Sequence, residues 1–201
     1  MHENIDLSHS NQLAGRQGTA TGYHPLKGTG HGNSGTRTGT ATETASIREL
    51  TAADWHLDRT VTLSAIAQAP EAFKMTMAEA LAHSDEEWRG IVAVFETEFV
   101  AIDGDKPVGM AGGVKHPESD GTLQLVSVFV EPEARGNGTS DRLVRSVVDW
   151  ARDNNYREVR LWVLDDHFSA VHLYERNGFR PTGATNEGPR GPRFEMAHSL
   201  G

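Results

Sequence analysis

The clearest periodic signal in the chain lies between Ser140 and Asn154. Leu143, Val144, Val147, Val148 and Ala151 recur at i, i+1, i+4, i+5 and i+8, while Arg142, Arg145, Asp149 and Arg152 lie largely off that stripe. The pattern predicts an amphipathic helix. Upstream, Glu98–Ile102, Pro107–Val114 and Thr122–Val130 read as three strands, separated by Asp103-Gly104-Asp105-Lys106 and by Pro117–Gly121. They form a β-meander whose third strand is apolar enough for a sheet centre. Gly109, Gly112 and Gly113 are expected to weaken or bulge the second strand. Downstream, Glu158–Leu164 predicts a strand and Ser169–Asn177 a short helix, with Asn177-Gly178 as its left-handed cap. Phe179 begins a further strand, and Arg193–Ala197 closes the sheet.

Ahead of the meander, Ser46–Leu50 alternates as a short strand, and Thr51-Ala52-Ala53-Asp54 has the form of a capping box. Leu57, Val61, Ala65 and Ile66 mark the following helix, which Pro70 ends or interrupts. Met77, Ala80 and Leu81, then Trp88, Ile91 and Val92, mark two more. The element order predicts an α+β domain with a mixed, largely antiparallel sheet flanked by helices, over residues 45–201. The four tryptophans are expected in or beside the core, with Trp55 or Trp88 available to line a pocket.

Residues 1–44 are a different material. Gly and Thr recur, large apolar residues are few, and no period is sustained, so the segment is expected to be disordered. Gly30-His31-Gly32-Asn33-Ser34-Gly35 matches G-x-G-x-x-G but lacks a flanking strand and helix, which fails the dinucleotide test. His2, His9, His24 and His31 have no metal-ligand spacing.

Of 201 residues, 28 are acidic and 19 basic, giving a net charge of −9. The first 44 residues are balanced, so the rest carries the acidic excess. That balance disfavours nucleic acid as a partner. The chain has no cysteine, which removes disulfide, thiolate and Cys–metal chemistry. No window suits a membrane span and no secretory signal opens the sequence, so a cytoplasmic location is expected.

The stretch Val128-Phe129-Val130-Glu131-Pro132-Glu133-Ala134-Arg135-Gly136-Asn137-Gly138-Thr139-Ser140 carries the chemistry. An apolar strand, a proline stop and a glycine-bearing turn open the best helix. Such a turn aims unpaired N–H groups from the positive end of a helix, which suits a phosphate. Arg135 adds a charge able to fork onto a phosphate oxygen. The bland alternative is an ordinary strand–turn–helix connection with an exposed arginine.

Arg135-Gly136-Asn137-Gly138-Thr139-Ser140 resembles the R/Q-x-x-G-x-G/A loop of the GNAT superfamily of N-acetyltransferases. Some thirty residues later, Ala170-Val171-His172-Leu173-Tyr174-Glu175-Arg176-Asn177-Gly178-Phe179 is similar to that family's N-x-x-A-x-x-L-Y-x-x-x-G-F segment. Ser140 stands where the family usually has Gly or Ala, and His167 where it usually has Asn.

The resemblance implies the GNAT fold and acetyl-CoA as acyl donor, with no metal. Residues Arg135 to Ser140 would hold the diphosphate. Main-chain groups of Val128, Phe129 and Val130 would meet the pantetheine arm and the thioester, with His167 and Ala170 nearby. Tyr174 would be the general acid toward the departing thiolate, or else a packing residue. The first helices lie where the family's acceptor-binding elements usually lie. The family often places a base on a central strand, where this chain has Gln124 and Ser127; Glu131 and His116 are weaker candidates, and the role stays open. Arg176 and Arg180 would meet phosphates or favour the helix end. His167 and His172, five apart, do not suit a metal.

The function implied is transfer of an acetyl group to a primary amine, on a small molecule or a peptide N-terminus, by direct attack. The alternative is a noncatalytic acyl-CoA-binding or regulatory module of the same fold. Partners beyond the acceptor are at most a second copy, as a homodimer; neither nucleic acid nor membrane is expected.

Overall fold

The computed structural model describes residues 45–188 and 190–201. The expectations for residues 1–44 lie outside the described residues. The elements are β1 (Ser46–Glu49), α1 (Trp55–Gln68), α2 (Met77–Ala82), α3 (Asp85–Val92), β2 (Thr97–Asp103), β3 (Lys106–Lys115), β4 (Thr122–Val130), α4 (Thr139–Asp153), β5 (Glu158–Leu164), α5 (Phe168–Arg176), β6 (Arg180–Gly188) and β7 (Gly191–Ser199). The strands form one sheet in the order β1-β2-β3-β4-β5-β7-β6. Every neighbouring pair is antiparallel except β4 with β5. The mixed, largely antiparallel sheet predicted from the element order is the one observed.

Capping chemistry sets the helix starts. Thr51 and Asp54 form a capping box around a short 3-10 turn that leads into α1. Thr76 with Glu79, and Ser84 with Glu87, do the same for α2 and α3. The apolar stripe of α4 is fully buried, from Leu143 to Ala151.

Helices cover both faces of the sheet. On one, Leu143, Val144 and Val147 of α4 pack with Leu125, Val128, Leu161, Leu173 and Tyr174. On the other, Val61 and Ala65 of α1 pack with Val100, Met110 and Phe129. Trp88 and Ile91 of α3 meet Ile66 and Ala80 in a third cluster. Sandwiched between layers, all nine residues of β4 are buried, as its unbroken apolar run requires. Leu81 is 56% exposed, contrary to its expected place on an apolar face, because α2 is only six residues long and buries Ala80 instead.

Both outer strands are modest. β1 has four residues. β6 has nine, exposed nearly throughout, and its register with β7 shifts between Pro181 and Thr185, where Gly183 takes φ +90°.

Candidate functional site

Two strands that begin together come apart. β4 and β5 pair only at Thr122–Gln124 with Glu158–Arg160. β4 runs on to Val130 and β5 to Leu164, the latter still bonded to β7, and the ladder between them stops. A wedge therefore opens at the sheet centre. The departure is built into β4. Val126 pairs with Gly112 and Phe129 with Met110, so Ser127 and Val128 stand opposite Ala111 alone. This is a β-bulge, and Ser127 within it takes φ +55° while buried. A strained non-glycine residue of this kind costs about 1–3 kcal/mol and recurs where strands are re-aimed at a site. Opposite the bulge, Gly112 leaves room for the Phe95 ring, into which a Cβ would run.

At the wide end of the wedge, β4 leads through Pro132–Ala134, a single 3-10 turn, into the glycine loop. Gly136 and Gly138 adopt φ +78° and +83°, which a residue with a Cβ enters only under strain, and among the described residues nothing beyond the chain neighbours lies within 4 Å of where either Cβ would be. Gly138 is the N-cap of α4. The Asn137 side chain accepts from the Thr139 N–H at 3.1 Å and the Thr139 hydroxyl at 2.6 Å, fixing the turn. Among the described residues, the N–H groups of Gly136, Asn137 and Gly138 have no acceptor. Ser140, half-buried in the first helical turn, adds little bulk.

The sequence reading missed how Arg135 is used. Its Nε donates to the Val130 carbonyl at 2.8 Å, so the whole guanidinium fork does not face outward. Phe129 also needs correction. Glu131 N–H donates to the Val108 carbonyl on β3, and strand polar groups alternate sides. The Phe129 main chain therefore faces β3 with that of Glu131, and the Val130 main chain faces the wedge.

Helix α5 brings up the second segment. His167, half-buried, is its N-cap, and its carbonyl accepts from Ala170 and Val171. Ala170 is fully buried. At the other end, Phe179 N–H donates to Tyr174 C=O at 3.0 Å and Gly178 N–H to Glu175 C=O at 3.1 Å, with Gly178 at φ +91°. This is a Schellman motif, and its usual apolar contact is present: the Phe179 ring meets Tyr174 edge-on at 5.9 Å. Tyr174 is fully buried in the same cluster as Val128 and Val130. Burial pushes its phenol well above the ordinary range, so it stays protonated at neutral pH.

A polar tie joins α4 to α5. Arg176 grips Asp141 with two hydrogen bonds, at 2.6 and 2.9 Å, and Asn177 Nδ2 donates to Asp141 at 2.9 Å. Burial alone would raise the Asp141 pKa, but these bonds and the Arg176 and Arg145 charges bring it below the usual value. Arg176 is thus engaged on α4, whereas Arg180 donates to the Glu175 and Phe179 carbonyls and closes the end of α5.

The candidate bases separate. Gln124 and Ser127 are buried on β4 and carry no titratable group. Glu131 is buried, with one oxygen accepting from Ser64 and the other from Gln68 at 2.7 Å, both on α1. His116 accepts from Glu118 N–H and its own N–H bonds Thr122, the first residue of β4. That is about 25 Å along the strand from Val130. It lines a hollow of about 370 Å³ with Glu96, Lys115, Trp150 and Tyr156, which no residue of the glycine loop reaches. Trp88 is fully buried, so of the two tryptophans considered for an acceptor pocket only Trp55 reaches the surface.

One acidic pair was not foreseen. Asp58 on α1 and Glu98 on β2 are 2% and 1% exposed and face each other. Burial raises Asp58 from 3.8 to about 6, with the Glu98 and Thr62 hydrogen bonds opposing. Burial, then the Asp58 charge, holds Glu98 well above its ordinary value. The signal was available in part: Asp58 falls on the Val61–Ala65 face of α1, an unusual place for an acid.

Comparison with known proteins agrees with this geometry. A model of the "Acetyltransferase (GNAT) family" matches residues 59–179, more than half of the chain. The chain is 41% identical over 90 residues to human N-acetyltransferase 8, covering 42% of this chain and 39% of that protein. It thus spans about two fifths of the length of the curated relatives it matches. Among solved structures, a phosphinothricin acetyltransferase from Sinorhizobium meliloti in complex with AcCoA superposes with TM-score 0.62 at 20% identity, covering 79% of this chain and 89% of that one. A ribosomal-protein-alanine N-acetyltransferase from Brucella melitensis gives TM-score 0.60 at 20% identity, covering 77% and 99%. With the family profile spanning the glycine loop, α4, β5 and α5, this chain belongs to the GNAT acetyltransferase family.

Proposed function

We propose that this chain is an acetyl-CoA-dependent N-acetyltransferase that moves the acetyl group to a primary amine, on a small molecule or a peptide N-terminus, by direct attack. The observation that carries the reading is the wedge between β4 and β5, with the Gly136–Gly138 amides at its wide end and Tyr174 packed along its side. The residues fit the donor. Three N–H groups without acceptors and the N-terminus of α4 suit a diphosphate, and the Val130 N–H, which faces the wedge, suits an extended amide-bearing arm.

The chemistry follows from those placements. A main-chain N–H of β4 beside the wedge polarises the thioester carbonyl and stabilises the developing oxyanion, a contribution of a few kcal/mol when preorganised. The neutral amine attacks, a C–N bond forms and the C–S bond breaks. Tyr174, kept protonated by burial, supplies a proton to the leaving thiolate. Gln124 and Ser127, where the family often has a base, cannot take the amine's proton at neutral pH, so that proton leaves to solvent water and the Tyr174 phenolate regains its own from solvent. The acceptor differs between the similar proteins, phosphinothricin in one and a ribosomal-protein alanine in the other, so both acceptor classes belong in the test.

The test is a calorimetric titration with coenzyme A, followed by incubation with acetyl-CoA and a panel of primary amines and peptides while free thiol is measured. Tight binding plus amine-dependent thiol release supports the proposal. Binding without release for every acceptor would reduce the chain to an acyl-CoA-binding module. No binding would remove the reading altogether.

A further inference from the structure

We propose that a proton shared between Asp58 and Glu98 latches helix α1 onto the sheet, so that α1 loosens as pH rises. Carboxylates are almost never fully buried without a cation, because desolvating the charge is so unfavourable. Here two are buried together. Glu98 Oε1 and Oε2 and Asp58 Oδ2 receive no hydrogen bond from any N–H or hydroxyl among the described residues, and only Thr62 reaches the pair, donating to Asp58 Oδ1 at 3.1 Å. Two facing carboxylates cannot both ionise in such a site; one proton between them turns repulsion into a hydrogen bond.

Among the described residues, the surroundings offer no other charge balance. Arg48 is bonded to Asp54, Arg89 lies over the Trp55 ring at 5.4 Å, and Lys115 pairs with Glu96 at 3.5 Å. Glu49 accepts from Thr97. His56 is exposed and Arg59 half-exposed on α1. The forces acting on the pair are its own burial, its mutual contact and Thr62, with no Lys, Arg or His among them. The walls are otherwise apolar: Val61 and Ala65 from α1, Val100 and Met110 from the sheet, and the Phe95 ring against Gly112.

The latch sits at one end of α1, and the other end holds the donor side. Ser64 and Gln68 grip Glu131, which immediately precedes Pro132 and the glycine turn. Losing the shared proton would therefore slacken a helix that moors the entry to that turn. This goes beyond the transferase reading and does not need it.

The test uses hydrogen exchange of the full chain from about pH 6 to about pH 9, corrected for intrinsic rates, with α4 amides as internal reference. While the closed pair holds one proton more than the opened one, the opening of α1 should rise about tenfold per pH unit. In Glu98→Gln, whose amide donates to Asp58 at any pH, it should stay flat; Asp58→Asn serves if that variant does not fold. Infrared spectroscopy of the wild type at neutral pH should also show a protonated carboxyl band. Equal pH dependence in wild type and variant, or no such band, would overturn the latch. Neither readout involves acetyl-CoA or an amine, so this proposal and the transferase reading fail separately.

Discussion

Replacing Gly138 by alanine isolates a single physical term. The residue sits at φ +83° as the N-cap of α4, and among the described residues the added methyl meets nothing beyond the chain neighbours within 4 Å. Neither clash nor packing gain enters; only the left-handed backbone does. Holding an L-residue there costs about 1–2 kcal/mol. The protein can meet that cost in two ways. If the turn keeps its shape, stability falls by that amount. If it relaxes to a right-handed conformation, stability is spared but the amides no longer converge, and affinity for coenzyme A falls by the same free energy. The two losses together should equal about 1–2 kcal/mol, a combined factor of about 5–30. Urea unfolding gives the first and calorimetric titration with coenzyme A the second. Unchanged stability and unchanged affinity would refute the claim that this turn's left-handed geometry matters to the ligand.

Tyr174→Phe should lower turnover by about 100-fold or more, the scale of a lost general acid, with coenzyme A affinity little changed; equal turnover in a folded variant would return Tyr174 to a packing role. Arg176→Ala frees the Asp141 carboxylate in the first turn of α4, beside the proposed diphosphate site. Coenzyme A affinity should fall several-fold, and more at low than at high salt; a salt-independent loss would point to structure rather than charge. For Asp58 the sign is set by its raised pKa. The proton stabilises the folded form, so the contribution is intact at low pH and is lost as pH climbs through about 6. Relative to wild type, Asp58→Asn should therefore gain stability steadily from pH ~4 to pH ~7, measured by denaturant unfolding at each pH.

Elements whose pattern is local were readable from the chain. The β4 and β5 boundaries, Thr122–Val130 and Glu158–Leu164, coincide with the predicted strands, and α4 differs by one residue at each end. Repeating apolar positions and turn residues carry that information within a dozen positions. Gly178 at the end of α5 was equally legible, since only the left-handed region closes that helix as observed. What escaped depends on contacts between distant segments. Arg135 turns back to Val130 because the 3-10 turn at Pro132 folds it there, and Asp58 meets Glu98 only once α1 lies across β2. The Ser127 bulge carries no glycine to announce it; the glycines lie on β3, opposite. Arg176 found a carboxylate thirty-five residues earlier rather than a helix end.

The two margins of the sheet bear on how the molecule behaves in a crowded solution. β1 is too short to template much, and along β6 the missing proline N–H, the skewed register and the kink at Gly183 interrupt any regular row of donors and acceptors. A second molecule has no straight selvage on which to extend the weave. Among the described residues, neither edge offers a long regular strand for edge-to-edge pairing.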